Sequence, residues 1–269
     1  MSTQSTKPTI LLIGGGWHPP LLYAKLTTAL NAAGYEVNNP ALPSVSAARP
    51  PTASLPEDVA HVRSAAQSLV DAGKTVMALV HSYGGMVASD ALSGLGLQNR
   101  RTESLPGGVS HIIYMTAFAV LPGTSISWLV ELFGDQEETA RSFRIEADGS
   151  STINDPATIM VSGGEGEGGE ETPTAEELAR YLDGLVPWNA AAMGQGAGEA
   201  VWREVEPVFV YCWRDKTLKP RYQRYMVEEV VEKELGRKIC TFELATGHCP
   251  NLTRTREVVG IVDQVAALG

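Results

Sequence analysis

The sequence predicts an α/β fold: a mainly parallel sheet of about six strands, with helices on both faces and an inserted helical cap. Three observations carry this. Continuous apolar, β-branched runs recur at 9–13 (TILLI), 75–80 (TVMALV), 109–115 (VSHIIYM) and 207–212 (PVFVYC) without polar alternation, as suits strands covered on both faces. Segments with helical spacing alternate with these runs. One long stretch, 119–204, breaks the alternation.

The elements follow in order. The run 9–13 ends at Gly14-Gly15-Gly16, and 21–33 reads as a helix closed by Gly34. A short strand at 35–38 precedes 40–56, which is rich in Pro, Ser and Ala and reads as a loop. A helix at 57–71 leads to the strand at 75–80, and helical sequence resumes from 83 to about 92. After the strand at 109–115, the core returns at 207–212, a helix at 220–235, a last strand at 237–244 and a last helix at 251–268. The expected organisation is a core of 1–118 and 205–269 with a cap at 119–204. Within the cap, 162–171 (SGGEGEGGEE) has too little apolar content to pack a core and reads as the preferred site of limited proteolysis.

Composition narrows the function. The chain has 269 residues, of which 43% are hydrophobic, enough for one sizeable core. Lys and Arg number 21 against 31 Asp and Glu, a formal charge of -10, which argues against nucleic acid and anionic membrane surfaces as partners. The expected partner is a small-molecule substrate, with a homodimer left open. Cys212, Cys240 and Cys249 are few and far apart, with no metal-like spacing. The polar first eight residues lack the order of a signal peptide, so a cytoplasmic location is expected. The glycine-rich turn at Gly14 does not complete a dinucleotide fingerprint, because Pro19 occupies the place of its last glycine.

The central motif is Val80-His81-Ser82-Tyr83-Gly84-Gly85, between a buried strand and a helix. It resembles the nucleophile elbow G-x-S-x-G of the α/β hydrolases, with Val80 in place of the first glycine. In that superfamily the chain order is Ser, acid, His. Only His248 lies after the last strand, in a Gly-His turn, and Asp215 is the only carboxylate in the turn after 207–212. The loop Gly14-Gly15-Gly16-Trp17-His18-Pro19 resembles the H-G-x-x-H-G segment of plant methyl esterases and hydroxynitrile lyases, with Gly14 and Pro19 departing from it.

The resemblance covers nearly the whole chain and is nearest to the compact subgroup of plant methyl esterases, hydroxynitrile lyases and related microbial esterases. It implies a cofactor-free, metal-free hydrolase of a carboxylic ester, thioester or lactone. Ser82 would be nucleophile, His248 base and Asp215 acid, with backbone N–H groups of Gly16 and Tyr83 as the oxyanion hole. Gly15, Trp17, His18, His81, Trp128, Tyr181 and Trp188 are the candidate pocket residues. A lyase or cyclase using the same triad, or a small-molecule receptor, is the alternative. The lyases carry Lys after the catalytic His and Thr at the position of Gly15, whereas this chain has Cys249 and no side chain there.

Overall fold

The computed structural model describes residues 7–162 and 172–268. Nine strands are present among them: β1 (Thr9–Ile13), β2 (Val37–Asn38), β3 (Thr75–Ser82), β4 (Gly108–Ala117), β5 (Phe143–Ile145), β6 (Ser150–Ile153), β7 (Trp188–Asn189), β8 (Glu206–Cys212) and β9 (Cys240–Leu244). Six form one sheet in the order β2-β1-β3-β4-β8-β9. Every neighbouring pair is parallel. The carboxyl ends of β1, β3, β4, β8 and β9 therefore share one edge, where an open α/β sheet binds its ligands.

The absence of alternation in the strands has its physical cause in two layers of cover. Leu11, Ile13, Ala78, Val80 and Tyr114 pack in one cluster with residues of helices Leu55–Asp71 and Gly84–Ala91. Their neighbours Ile10, Leu12, Met77, Leu79 and Ile113 pack in the other, with residues of helices Ala24–Ala32 and Thr255–Ala266. Each fully buried aliphatic side chain contributes about 1.5–3 kcal/mol, so the strand ends that carry the site are anchored in the apolar core.

Several boundaries differ from expectation. The helix expected at 57–71 starts at Leu55, because Glu57 turns back to accept the Ser54 N–H at 2.7 Å. The helix at 21–33 opens as a tight turn, Pro20–Tyr23. The stretch 220–235 is helical throughout but π-helical over Tyr225–Val231. The last helix breaks at Arg254 into Pro250–Thr253 and Thr255–Ala266.

The region between β4 and β8 corrects the expectation of a purely helical insertion. Short helices Ile126–Leu132, Gln136–Ser142 and Ala175–Asp183 flank a three-stranded antiparallel sheet, β5-β6-β7. The loop 40–56 reaches this sheet through Asn189 N–H to Ser44 C=O at 3.1 Å and an isolated bridge between Val45 and Trp188. Of the Gly/Glu tract, only Ser162 falls within the described residues. Among the described residues, no helix is long and apolar enough to cross a membrane.

Candidate active site

Ser82 closes β3 with φ 52°, in the left-handed region, where a side chain costs about 1–2 kcal/mol. The register between β3 and β4 slips between His81 and Ser82, and Phe118 N–H holds the Ser82 carbonyl at 3.1 Å. Two and three places after Ser82, the chain must lack side chains. A Cβ at Gly84 would lie 2.3 Å from the Ile13 carbonyl oxygen, and one at Gly85 would lie 2.2 Å from that of Phe118. Val80 is fully buried in the same apolar cluster as Ile13, Tyr83 and Val87, so the core accommodates a side chain where the motif has its first glycine.

Residues from three strand ends converge on this serine. Ser82 Oγ lies 2.9 Å from His248 Nε2, and His248 Nδ1 lies 2.7 Å from Asp215 Oδ2. The His–Asp pair is inaccessible to solvent. A carboxylate only accepts, so Nδ1 carries the imidazole proton and neutral Nε2 accepts from the serine hydroxyl. Asp215 is held from every side. Oδ1 accepts the N–H groups of Thr217 at 2.7 Å and Leu218 at 2.9 Å, and Oδ2 also accepts the Thr116 hydroxyl at 2.5 Å. Thr116, at the end of β4, is a site residue to which sequence reasoning gave no role. Its positive φ of 39° is the structural sign of it.

Gly16 and Tyr83 lie on the cavity wall beside Ser82. Among the described residues neither backbone N–H has an intramolecular acceptor. The loops that carry these donors are tied from behind. His81 Nε2 meets the His248 carbonyl at 2.7 Å, which fixes the proton on Nε2, so the Tyr23 hydroxyl donates to Nδ1 at 2.7 Å. The same Tyr23 oxygen accepts the Gly15 N–H at 2.8 Å. One chain of bonds thus joins the glycine loop, the elbow and the His248 turn. Burial, and then repulsion from His248 and His18, holds His81 well below the usual histidine range.

His18 is a second buried strut. Its Nδ1 meets the Gly16 carbonyl at 2.6 Å and its Nε2 faces Cys249 Sγ at 3.7 Å. Burial lowers it to about 4, against the hydrogen bond to Gly16. Cys249 is pushed up to about 12, also by burial, and so stays a neutral thiol. Tyr83 is anchored too: its hydroxyl donates to Asp58 at 2.8 Å, and the Ser44 hydroxyl donates to the same carboxylate at 2.5 Å.

The cavity at Ser82 measures about 290 Å³ and is walled mainly by aromatic and aliphatic side chains. Of the seven candidate pocket residues, Trp17 and Trp188 line it. The other five do not. His18 and His81 are buried struts, and Tyr181 packs behind His18 at a ring distance of 5.8 Å. Gly15 faces the Ser82 Cβ and the His81 ring, and Trp128 sits on the outer side, 44% exposed. Conversely, Phe118, Phe143 and Tyr222 line the cavity without having been singled out for it. Asp135, in the region between β4 and β8, lies in an ionic cluster away from the line of Ser82, His248 and Asp215. It is bound to Arg221, Lys219 and the Tyr222 hydroxyl, which fastens the start of helix Gln136–Ser142 to the core helix Pro220–Arg224.

Fold and site together define an enzyme of the α/β-hydrolase class. The sequence matches the Alpha/beta hydrolase family over residues 10–261, and the chain belongs to that family. Relatives of similar length include "Alpha/beta hydrolase nvfD" of Aspergillus novofumigatus, 29% identical over 97% of each chain. Another is "Probable hydrolase R7" of a Phoma species, 24% identical over 98% of this chain and all of the other. The fold is also that of the methylesterase MES16 from Arabidopsis, with a TM-score of 0.70 at 14% identity, covering 97% of this chain and 100% of that one. At the level of the fold this agrees with the resemblance to plant methyl esterases read from the glycine loop.

Proposed function

We propose that the protein is a serine hydrolase that cleaves a small-molecule carboxylic ester, thioester or lactone through an acyl-enzyme. The observation that carries this reading is the line Ser82 Oγ, His248, Asp215, at 2.9 and 2.7 Å, opening on a cavity. Ser82 Oγ bonds to the substrate carbonyl carbon while its proton passes to His248 Nε2. The carbonyl oxygen becomes an oxyanion held by the N–H groups of Gly16 and Tyr83. Asp215, which accepts from four donors, stabilises the imidazolium. As the oxyanion collapses, the bond to the leaving oxygen or sulfur breaks and that atom takes the proton from His248. Water then adds to the acyl carbon, gives a proton to His248, and Ser82 departs with that proton as the acid forms.

Two features weigh against the cyanohydrin-lyase alternative. The residue after His248 is a buried neutral thiol turned to His18, so no cation stands there to receive cyanide. A Thr in place of Gly15 would put its Cβ 2.9 Å from that of Ser82. The test is a panel of nitrophenyl and aryl esters beside an aromatic cyanohydrin, with wild-type protein and Ser82→Ala. Ester turnover that falls about 10³-fold or more in Ser82→Ala, without cyanide release, is expected. Ser82-dependent cyanide release without ester turnover would overturn the reading.

A further inference from the structure

The cavity beside Ser82 has aromatic walls with every polar handle turned away from it. Trp17 Nε1–H donates to the Ser151 carbonyl at 3.1 Å, and Trp188 Nε1–H donates to Ser44 Oγ at 3.1 Å. The Tyr83 hydroxyl donates to Asp58 at 2.8 Å, and the Tyr222 hydroxyl donates to Asp135. These four residues therefore show the cavity carbon, as Phe118 and Phe143 do by nature. The smaller polar residues of the wall are occupied as well: Ser127 Oγ donates to the Met193 carbonyl at 3.0 Å and Thr217 Oγ1 to that of Ile159 at 3.1 Å. No Asp, Glu, Lys, Arg or His is among the described lining residues. Unoccupied hydrogen-bonding groups remain at two places. One is the reaction centre, with the N–H groups of Gly16 and Tyr83. The other is the rim, with Gln136 and Thr139 on helix Gln136–Ser142, where Gln136 is exposed.

We infer that the group this cavity accepts, on whichever side of the scissile bond it lies, is an uncharged hydrocarbon, aromatic or branched aliphatic. Esters bearing a charge on that group are rejected. The inference rests on the serine-hydrolase reading and narrows it. An ionised carboxylate or ammonium entering the cavity loses its water and meets mainly carbon faces, with no free donor and no counter-charge between the reaction centre and the rim; only the hydroxyl oxygens of Ser127 and Thr217 can still accept, too little to replace an ion's hydration. A ring gains on the same walls: Trp17 and Phe143 stack at 4.8 Å, and Trp188 meets Trp17 edge-on at 4.9 Å, an arrangement that a further aromatic face extends. At about 290 Å³ the space lies near the lower end of small-ligand pockets, so it takes one compact group rather than a whole large ligand.

The experiment uses two ester series that vary charge at nearly constant shape. The first places it on the acyl side: nitrophenyl hexanoate, nitrophenyl aminohexanoate and the nitrophenyl monoester of adipic acid. The second places it on the alcohol side: acetates of ethylphenol, of tyramine and of hydroxyphenylpropanoic acid. Rates are divided by those of hydroxide-catalysed hydrolysis. In at least one series the neutral member should exceed both charged members by about 100-fold or more in kcat/KM. In parallel, quenching of tryptophan fluorescence in Ser82→Ala, lost in part when Trp17 or Trp188 is replaced by Phe, should saturate with the neutral member of that series and not with the charged ones. Neutral and charged members turned over alike in both series would overturn the inference while leaving the hydrolase reading intact. Turnover of no ester at all would count against the hydrolase reading, and the quenching arm would still decide the inference: equal quenching by neutral and charged members would overturn it.

Discussion

At Ser82 the backbone is held in a conformation that its side chain disfavours, and the surrounding residues account for its persistence. Gly84 and Gly85 leave room for two carbonyl oxygens, and Phe118 N–H pins the Ser82 carbonyl. On the acid side, Asp215 has one oxygen on two backbone N–H groups and the other shared by Thr116 and His248. Asp215→Asn would present an amide to His248 Nδ1 and favour the wrong imidazole tautomer, so kcat should fall by roughly 10³–10⁴-fold with folding intact. Thr116→Val removes one of four donors and should cost much less, about tenfold. Steady-state kinetics of the two variants check both, and a mild effect of Asp215→Asn would place the acid elsewhere. The three residues of this line were legible from the sequence because each sits in a turn after a continuous apolar strand. Thr116 was not, since its role depends on a neighbour 99 positions away. His18 and His81 were read as pocket residues for a related reason: sequence places them at the strand ends but does not reveal that their rings turn back into the core.

Among the elements, the parallel strands announce themselves because burial on both faces demands unbroken apolar runs. The small sheet β5-β6-β7 gives no such signal. Its strands are two to four residues long, and β6 reads Ser-Ser-Thr-Ile. It is held by tertiary bonds instead: Ser151 Oγ to the Trp188 carbonyl at 2.8 Å, Trp17 Nε1 to the Ser151 carbonyl, and Arg49 to Ser150 Oγ at 2.8 Å. The helix Leu97–Thr102 was missed in the same way, being a polar segment of six residues. The tie between helix Gln136–Ser142 and the core is ionic. Burial alone would raise Asp135, but hydrogen bonds from Arg221, Tyr222 and Lys219 outweigh it and bring the carboxyl down to about 2. Asp135→Asn removes the charge that holds Arg221 and Lys219 and loosens Tyr222 on the cavity wall. KM for a neutral ester should rise about three- to tenfold with kcat less affected, because the wall binds the substrate and the reaction centre is untouched. A fall in kcat at constant KM would show that this tie acts on the chemistry rather than on the wall.

For the molecule as a whole, buried neutral histidines set the acid limit of stability. His18 titrates at about 4 in the fold and near 6.5 unfolded, and burial lowers His81 in the same direction. Between those values the unfolded chain takes up protons that the native one refuses, so unfolding free energy rises with pH. The stabilisation is fully present above pH 6.5 and is lost as pH falls toward 4. For His18 alone the loss is on the order of 3 kcal/mol. Urea denaturation at pH 7, 6 and 5 should give falling midpoints, and His18→Gln should flatten the dependence. A pH-independent midpoint in wild-type protein would contradict it.

The proposed mechanism turns on a covalent step at one atom. Mass spectrometry of protein quenched in acid during turnover of a neutral nitrophenyl ester tests it most directly. An added mass equal to the acyl group, located on Ser82 by peptide mapping and absent from Ser82→Ala, is the expected result. Steady ester hydrolysis with no acyl group on Ser82, or with undiminished turnover by Ser82→Ala, would contradict it.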